Sequence, residues 1–121
     1  MTQEDKDLLL KDICARLPYN VKCCIYNFYR YECEDETITI NNLSELIDTF
    51  SICEIKPYLF PMSSMTEEQK EEMDLYYRAI FYGDTIKFIN QYIDWFNKNH
   101  FDYRGLIEKG LALDATGLNI Y

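Results

Sequence analysis

Length, composition and charge already exclude several classes of protein. The chain has 121 residues, of which 48% are hydrophobic and 27% charged, a composition typical of one globular domain over residues 1–121. Its net charge is −9 and its 12 basic residues are scattered, so we expect no direct nucleic-acid binding and no attachment to an anionic membrane. The first residues are acidic and polar, unlike a signal peptide, and no apolar run approaches the ~20 residues of a membrane helix. We therefore expect a cytoplasmic protein with reduced thiols.

The N-terminal segment predicts a helix. Thr2 is a suitable cap, and Asp5 stands at the capping-box position three residues later. Apolar residues then recur every four positions, which predicts a helix over residues 3–17. Because a helix usually ends before a proline, we place its end before Pro18.

A small sheet is predicted in the middle of the chain. Aromatic, β-branched and small apolar side chains follow one another from Val21 to Glu32, which favours a long strand. The predicted segments are a strand over residues 21–32, a turn at residues 34 and 35, a strand over residues 37–40, a short helix capped by Asn41 or Asn42, and a strand over residues 51–55.

Two further helices are predicted in the second half. Thr66 begins the first, with Gln69 at the capping-box position, and Gly83 ends it. Asp84 caps the second, whose inward stripe we expect to consist of Ile86, Ile89, Ile93 and Phe96. After Asn99 the pattern is irregular, and we expect the apolar C-terminal end to dock back onto the domain.

These elements predict an α+β fold. A small antiparallel sheet of about three strands packs against the N-terminal helix and the two C-terminal helices. Strand order, and closure of the sheet into a barrel, stay open at this stage.

Three segments resemble a known group of proteins. They are LLLKDICARLPY (residues 8–19), KPYLFPMSSMTEE (residues 56–68) and DWFNKNHFDYRGLI (residues 94–107). In this order they resemble a group of short uncharacterised proteins of anaerobic gut bacteria and their phages, which has no established function. The resemblance implies a small sheet between the first two segments, barrel-like in longer relatives, although the shorter region here argues against a closed barrel. The phage association implies an accessory protein that binds a host component.

The cysteines and glycines form no recognisable cofactor or metal motif. The five cysteines are an odd number without a CxxC, and the single histidine, His100, lies far from them in sequence. Phosphate-binding and dinucleotide-binding glycine patterns are absent. We expect no metal and no cofactor, and we interpret the cysteines as small buried hydrophobic residues.

Tyrosine is the unusual feature of the composition. The chain has 11 tyrosines against seven phenylalanines and one tryptophan. Tyrosine combines a large apolar ring with a polar tip, so it suits binding surfaces as well as the margin of a core. We expect Tyr26, Tyr29 and Tyr31 to form an aromatic binding face on the long strand. The preferred function is therefore a non-enzymatic protein-interaction module with an unidentified protein partner.

Three alternatives stay open. Two acidic runs, around residues 32–36 and 67–74, suggest an acidic decoy for a nucleic-acid-binding protein. His100, Asp102 and Arg104 are the most chemical-looking cluster and suggest a small enzyme that uses His100 as a base. The aromatic residues and the apolar end also make a homodimer a candidate assembly.

Overall fold

The fold is α+β, as predicted, with four α-helices and a four-stranded mixed sheet among the described residues. The computed structural model describes residues 1–48 and 53–121. The elements are α1 (Gln3–Arg16), β1 (Lys22–Asn27), β2 (Glu32–Thr37), α2 (Ile40–Asp48), β3 (Cys53–Leu59), α3 (Glu67–Tyr82), α4 (Thr85–Lys98) and β4 (Leu113–Asp114).

The helix starts follow the capping signals in the sequence. Both predicted capping boxes are confirmed, with Thr2 and Asp5 at α1 and Thr66 and Gln69 at α3. The side chain of Asp84 accepts a hydrogen bond from Lys87 N at the start of α4. Each cap satisfies backbone N–H groups that have no partner inside the helix, which is why these starts can be read locally.

The sheet has the order β2-β1-β3-β4, so β2 is an edge strand. The strands β2, β1 and β3 are antiparallel neighbours, and β4 adds a parallel fourth strand that was not predicted. The predicted first residues of the third strand, 51 and 52, lie outside the described residues.

The hairpin turn lies earlier than predicted. The chain turns at residues 28–31, so the predicted strand over 21–32 is two strands, and the predicted turn residues Glu34 and Asp35 lie inside β2. The side chain of Asn27 accepts hydrogen bonds from Tyr29 N at 2.9 Å and Arg30 N at 3.2 Å. Tyr31 completes the turn with a φ of 55°. Asparagine side chains favour this type of turn. The turn was not predicted because the aromatic residues on both sides of Asn27 favour a continuous strand.

The main core lies between α1 and one face of the sheet. Its buried residues are Leu9, Ile13, Val21, Cys23, Ile38 and Ile55. Successive strand residues point to opposite faces, so Cys24 and Tyr26 lie on the face that is turned away from this core.

The apolar stripe of α4 is only partly buried, which corrects the prediction. Phe96 and its neighbour Trp95 are buried against Phe101, whereas Ile86, Ile89 and Ile93 are exposed. Near the C-terminal end of α4, the carbonyl oxygen of Phe96 accepts a hydrogen bond from Arg16 of α1. Amphipathic spacing thus identified a helix but not which of its turns the rest of the chain covers.

A buried ionic cluster joins α1 to the segment after α4. The guanidinium of Arg16 donates to both carboxylate oxygens of Asp12, at 3.0 and 3.1 Å, and to the carbonyl oxygens of Phe96 and Phe101. Arg104 donates to Asp12 Oδ1 at 2.8 Å. Because the Asp12 and Arg16 side chains are fully buried, these bonds replace the water that each charge loses on folding.

The C-terminal end docks back onto the sheet, as expected. Tyr121 Oη accepts from Lys22 N at 2.8 Å and donates to Tyr58 O at 2.9 Å. Among the described residues, no helix is both long and apolar enough to cross a membrane.

Candidate functional site

His100 is a buried residue at the end of α4. Only 6% of it is exposed, and its backbone has a φ of 58°. Its ring stacks on Tyr121 with the ring centroids 3.8 Å apart. Burial, reinforced by the positive charge of Arg16, lowers the pKa of His100 to about 4, so the imidazole is neutral at pH 7. Within the described parts of the chain, its Nδ1 atom has no hydrogen-bond partner.

Asp102 and Arg104 form their hydrogen bonds with residues other than His100. The carboxylate of Asp102 accepts from Leu106 N at 2.8 Å and Ile107 N at 2.9 Å, and so fixes the following loop. The guanidinium of Arg104 pairs with Asp12 instead. The three residues close in sequence therefore have separate partners.

A cavity of about 450 Å³ lies beside His100. Thr66, Lys98 and Tyr121 contribute to its lining. Ser64, the one serine among the lining residues of the described chain, donates its hydroxyl proton to Pro61 O at 2.6 Å rather than to the histidine. A base whose pKa is near 4 accepts protons weakly at neutral pH, so this arrangement favours a structural histidine over a catalytic one.

The predicted tyrosine face has a different shape from the one expected. Tyr26 lies half-buried on β1, whereas Tyr29 and Tyr31 lie in the turn and are 78% and 81% exposed. Phe28, which the sequence did not single out, is also exposed, and its ring meets that of Tyr26 edge-on with the centroids 5.6 Å apart. We call the four side chains of Tyr26, Phe28, Tyr29 and Tyr31 the hairpin tip.

A second concave surface adjoins the hairpin tip. It encloses about 340 Å³ and is lined by Met1, Lys6, Phe28, Cys53 and Glu54. Phe28 therefore belongs both to the tip and to this hollow. The exposed aromatic side chains thus lie beside a concave surface that carries one basic residue, Lys6, and one acidic residue, Glu54. Such a surface allows apolar, polar and shape-complementary contacts together.

The two acidic runs lie on separate elements. The first is on the edge strand β2, where Asp35 accepts from the Tyr58 hydroxyl at 2.7 Å. Burial and the hydrogen bond to Asp35 raise the pKa of Tyr58 to about 12. The second is on α3, where Glu72 accepts from Trp95 Nε1 at 2.8 Å. One acid of each run thus has a structural role, and the acidic decoy stays a prediction.

The cysteines differ from the expectation of five reduced, buried thiols. Cys24 and Cys33 form a disulfide between β1 and β2, and Cys14 is exposed. Cys23 and Cys53 are free and buried, as expected, and burial followed by the negative charge of Asp12 raises the pKa of Cys23. The predicted turn lies five or six residues too late in the chain, and a hairpin built on it would not bring Cys24 and Cys33 together.

No protein-family model, curated protein or solved structure matches this chain. The candidate surfaces are therefore assigned from the geometry of the chain itself.

Proposed function

We propose that the protein is a non-enzymatic protein-interaction module that binds its partner through the hairpin tip. The observation that carries the proposal is the exposure of Tyr29 and Tyr31, at 78% and 81%, at the end of a hydrogen-bonded hairpin. Burying such rings against a partner removes a large apolar area from water while their hydroxyls keep hydrogen-bonding capacity.

The turn holds the tip in place before a partner arrives. The side chain of Asn27 accepts from two turn amides, and Tyr31 N donates to Asn27 O at 2.9 Å. Aromatic side chains have few rotatable bonds, so a fixed turn leaves little freedom to lose on binding. Fixed aromatic residues are typical of the few contacts that dominate protein interfaces.

The charge beside the tip supports the choice of a partner with basic groups around its binding site. The adjoining strand β2 carries the exposed acids Glu32, Glu34 and Glu36. Complementary charge raises the association rate and disfavours acidic competitors. The resemblance to proteins of gut bacteria and their phages supports an accessory protein that binds a host component, in the cytoplasm.

Affinity capture with a matched pair of variants tests this proposal. The bait is the purified chain, and the prey is a lysate of its own host. We expect Tyr29→Ala combined with Tyr31→Ala to remove a specific prey protein that the wild-type chain captures. Tyr82→Ala is the control, because Tyr82 is 90% exposed but lies at the end of α3.

The captured complex must then be mapped. A photo-crosslinking residue at position 29 should join the prey, whereas the same residue at position 82 should not. Equal loss of the prey with both variants, or crosslinking only from position 82, would contradict the assignment. If the double variant has a lowered free energy of unfolding, Tyr29 and Tyr31 belong to the core, and the hairpin tip is not the binding surface. The same capture with His100→Asn separates the module from the enzyme hypothesis, since only the latter needs the imidazole.

A further inference from the structure

The register of the β1–β2 hairpin brings three metal-binding side chains together. Cys24 of β1 stands directly opposite Asp35 of β2. Cys33 lies two residues before Asp35, so both point to the same face of β2. Their two sulfur atoms and a carboxylate oxygen of Asp35 all lie within 4.8 Å of one another. Cys23 belongs to the opposite, core-facing side and takes no part.

After reduction, these three side chains are close enough to bind a single metal ion. A Zn–S bond is about 2.3 Å long, so two sulfur ligands of one Zn²⁺ ion lie at most about 4.6 Å apart. The two sulfur atoms are bonded to one another here, so they must move apart after reduction before both can bind one ion. Two thiolates and a carboxylate favour zinc over calcium or magnesium, which take oxygen ligands.

The surroundings support Asp35 and leave the ion an entry path. The hydroxyl of Tyr58 donates to Asp35 Oδ1 at 2.7 Å, and Tyr58 itself is buried. A carboxylate has lone pairs for both this bond and a metal, and such supporting bonds orient metal ligands. Cys33 and Asp35 are exposed, so water can complete the coordination.

We propose that the reduced protein binds one Zn²⁺ ion through Cys24, Cys33 and Asp35. The structure holds the two cysteines as a disulfide, so reduction must come first. A phosphine breaks the S–S bond with two electrons and becomes a phosphine oxide, while water supplies the oxygen and the two thiol protons. Zn²⁺ then displaces both protons and forms two Zn–S bonds. The disulfide and the metal site exclude one another, and neither depends on the proposed function.

Metal titration of the reduced full-length chain tests the site. The protein is reduced with a phosphine, and Co²⁺ is added as a spectroscopic probe for thiolate ligands. We expect thiolate-to-cobalt charge-transfer absorption that saturates at one ion per chain and disappears when Zn²⁺ is added. Native mass spectrometry should show one Zn²⁺ ion on the reduced chain and none on the oxidised chain. An excess of Mg²⁺ should not compete.

Four single variants assign the ligands. Cys24→Ser and Cys33→Ser should each weaken binding by at least about tenfold, since even the loss of a supporting residue typically costs about 10–100-fold. Asp35→Asn should weaken binding by about tenfold without removing the sulfur-to-cobalt absorption. Cys14→Ser is the matched control, because Cys14 is an exposed free cysteine on α1, and it should leave binding unchanged.

Several results would overturn the proposal. They are full affinity in Cys24→Ser or Cys33→Ser, full affinity in Asp35→Asn, loss of binding in Cys14→Ser, and no binding by the reduced wild-type chain. Circular dichroism of each reduced sample establishes whether it is folded. If reduction unfolds the wild-type chain, Zn²⁺ should restore its spectrum, and failure to restore it counts equally against the site.

Discussion

The buried ionic cluster and the hairpin tip place opposite kinds of side chain in opposite surroundings. In the cluster, Asp12 and Arg16 are charged yet fully buried, and each has hydrogen-bond partners within the protein. At the tip, Tyr29 and Tyr31 are large and aromatic yet exposed. Each arrangement is the reverse of what residue type alone favours.

The difference shows where function is to be sought in this chain. In sequence, Asp102 and Arg104 beside His100 resemble part of an active site. In the structure, their hydrogen bonds and ion pairs stabilise the fold. Arg104 neutralises Asp12, and Asp102 fixes a loop. Tyr29 and Tyr31 are exposed side chains without such a structural contact among the described residues, and for this reason the proposed binding surface is placed at the hairpin tip.

The largest predicted effect is in the buried cluster. Asp12→Ala leaves the Arg16 guanidinium buried without its carboxylate, and we expect a loss of about 3–5 kcal/mol in the free energy of unfolding. Urea denaturation measures it. Asp7→Ala removes an exposed carboxylate from the same helix and should change stability by no more than about 0.5 kcal/mol. Similar effects of both substitutions would show that the cluster contributes no more than the surface.

The next effect is a pH dependence from His100. Its pKa is about 4 in the folded chain against 6.5 when unperturbed, so the unfolded state binds more protons between these values. The free energy of unfolding should therefore fall as the pH drops from 6.5 to 4, by on the order of 3 kcal/mol.

The variant His100→Asn isolates that pH dependence. Asparagine tolerates the positive φ and does not titrate in this range, so the difference between variant and wild type should change with pH in this window. Denaturation curves at several pH values measure the difference. Parallel stability profiles for the two proteins would contradict a buried, neutral histidine.

A smaller effect is expected at the base of the tip. Asn27→Ala removes the acceptor of two turn amides and should cost about 1 kcal/mol. Hydrogen exchange at Tyr29 and Arg30 should become faster. Asn27→Asp keeps the acceptor and should stay close to wild type. Unchanged exchange in Asn27→Ala would mean that the turn is held by something else.

The smallest effect is expected at the tip itself. Tyr29→Ala combined with Tyr31→Ala should change the free energy of unfolding by less than about 0.5 kcal/mol, because both rings are largely exposed. Thermal denaturation of wild type and variant measures the change. A clear loss of stability would mean that Tyr29 and Tyr31 contribute to the core, as the residues of the buried ionic cluster do, and are not simply surface residues.

Local signals could be read from the sequence, and long-range ones could not. Thr2, Thr66 and Asp84 cap their helices as predicted because a cap involves only the next few residues. The hairpin register was missed, and the pairing of Cys24 with Cys33 was missed with it, because aromatic residues on both sides of Asn27 favour a continuous strand. Nothing local indicates that Arg104 will meet Asp12, since 92 residues separate them.

The same separation affects how the chain is made. Arg16 is synthesised early, but Phe101, whose carbonyl oxygen accepts from it at 2.6 Å, follows 85 residues later. At roughly 5–20 residues per second, a ribosome takes roughly 4 to 17 seconds to add that stretch. During this interval the α1 segment has its charged pair and its apolar face but none of the carbonyl groups that let the arginine be buried. We therefore expect α1 to reach its full stability only after the segment that follows α4 has emerged from the ribosome.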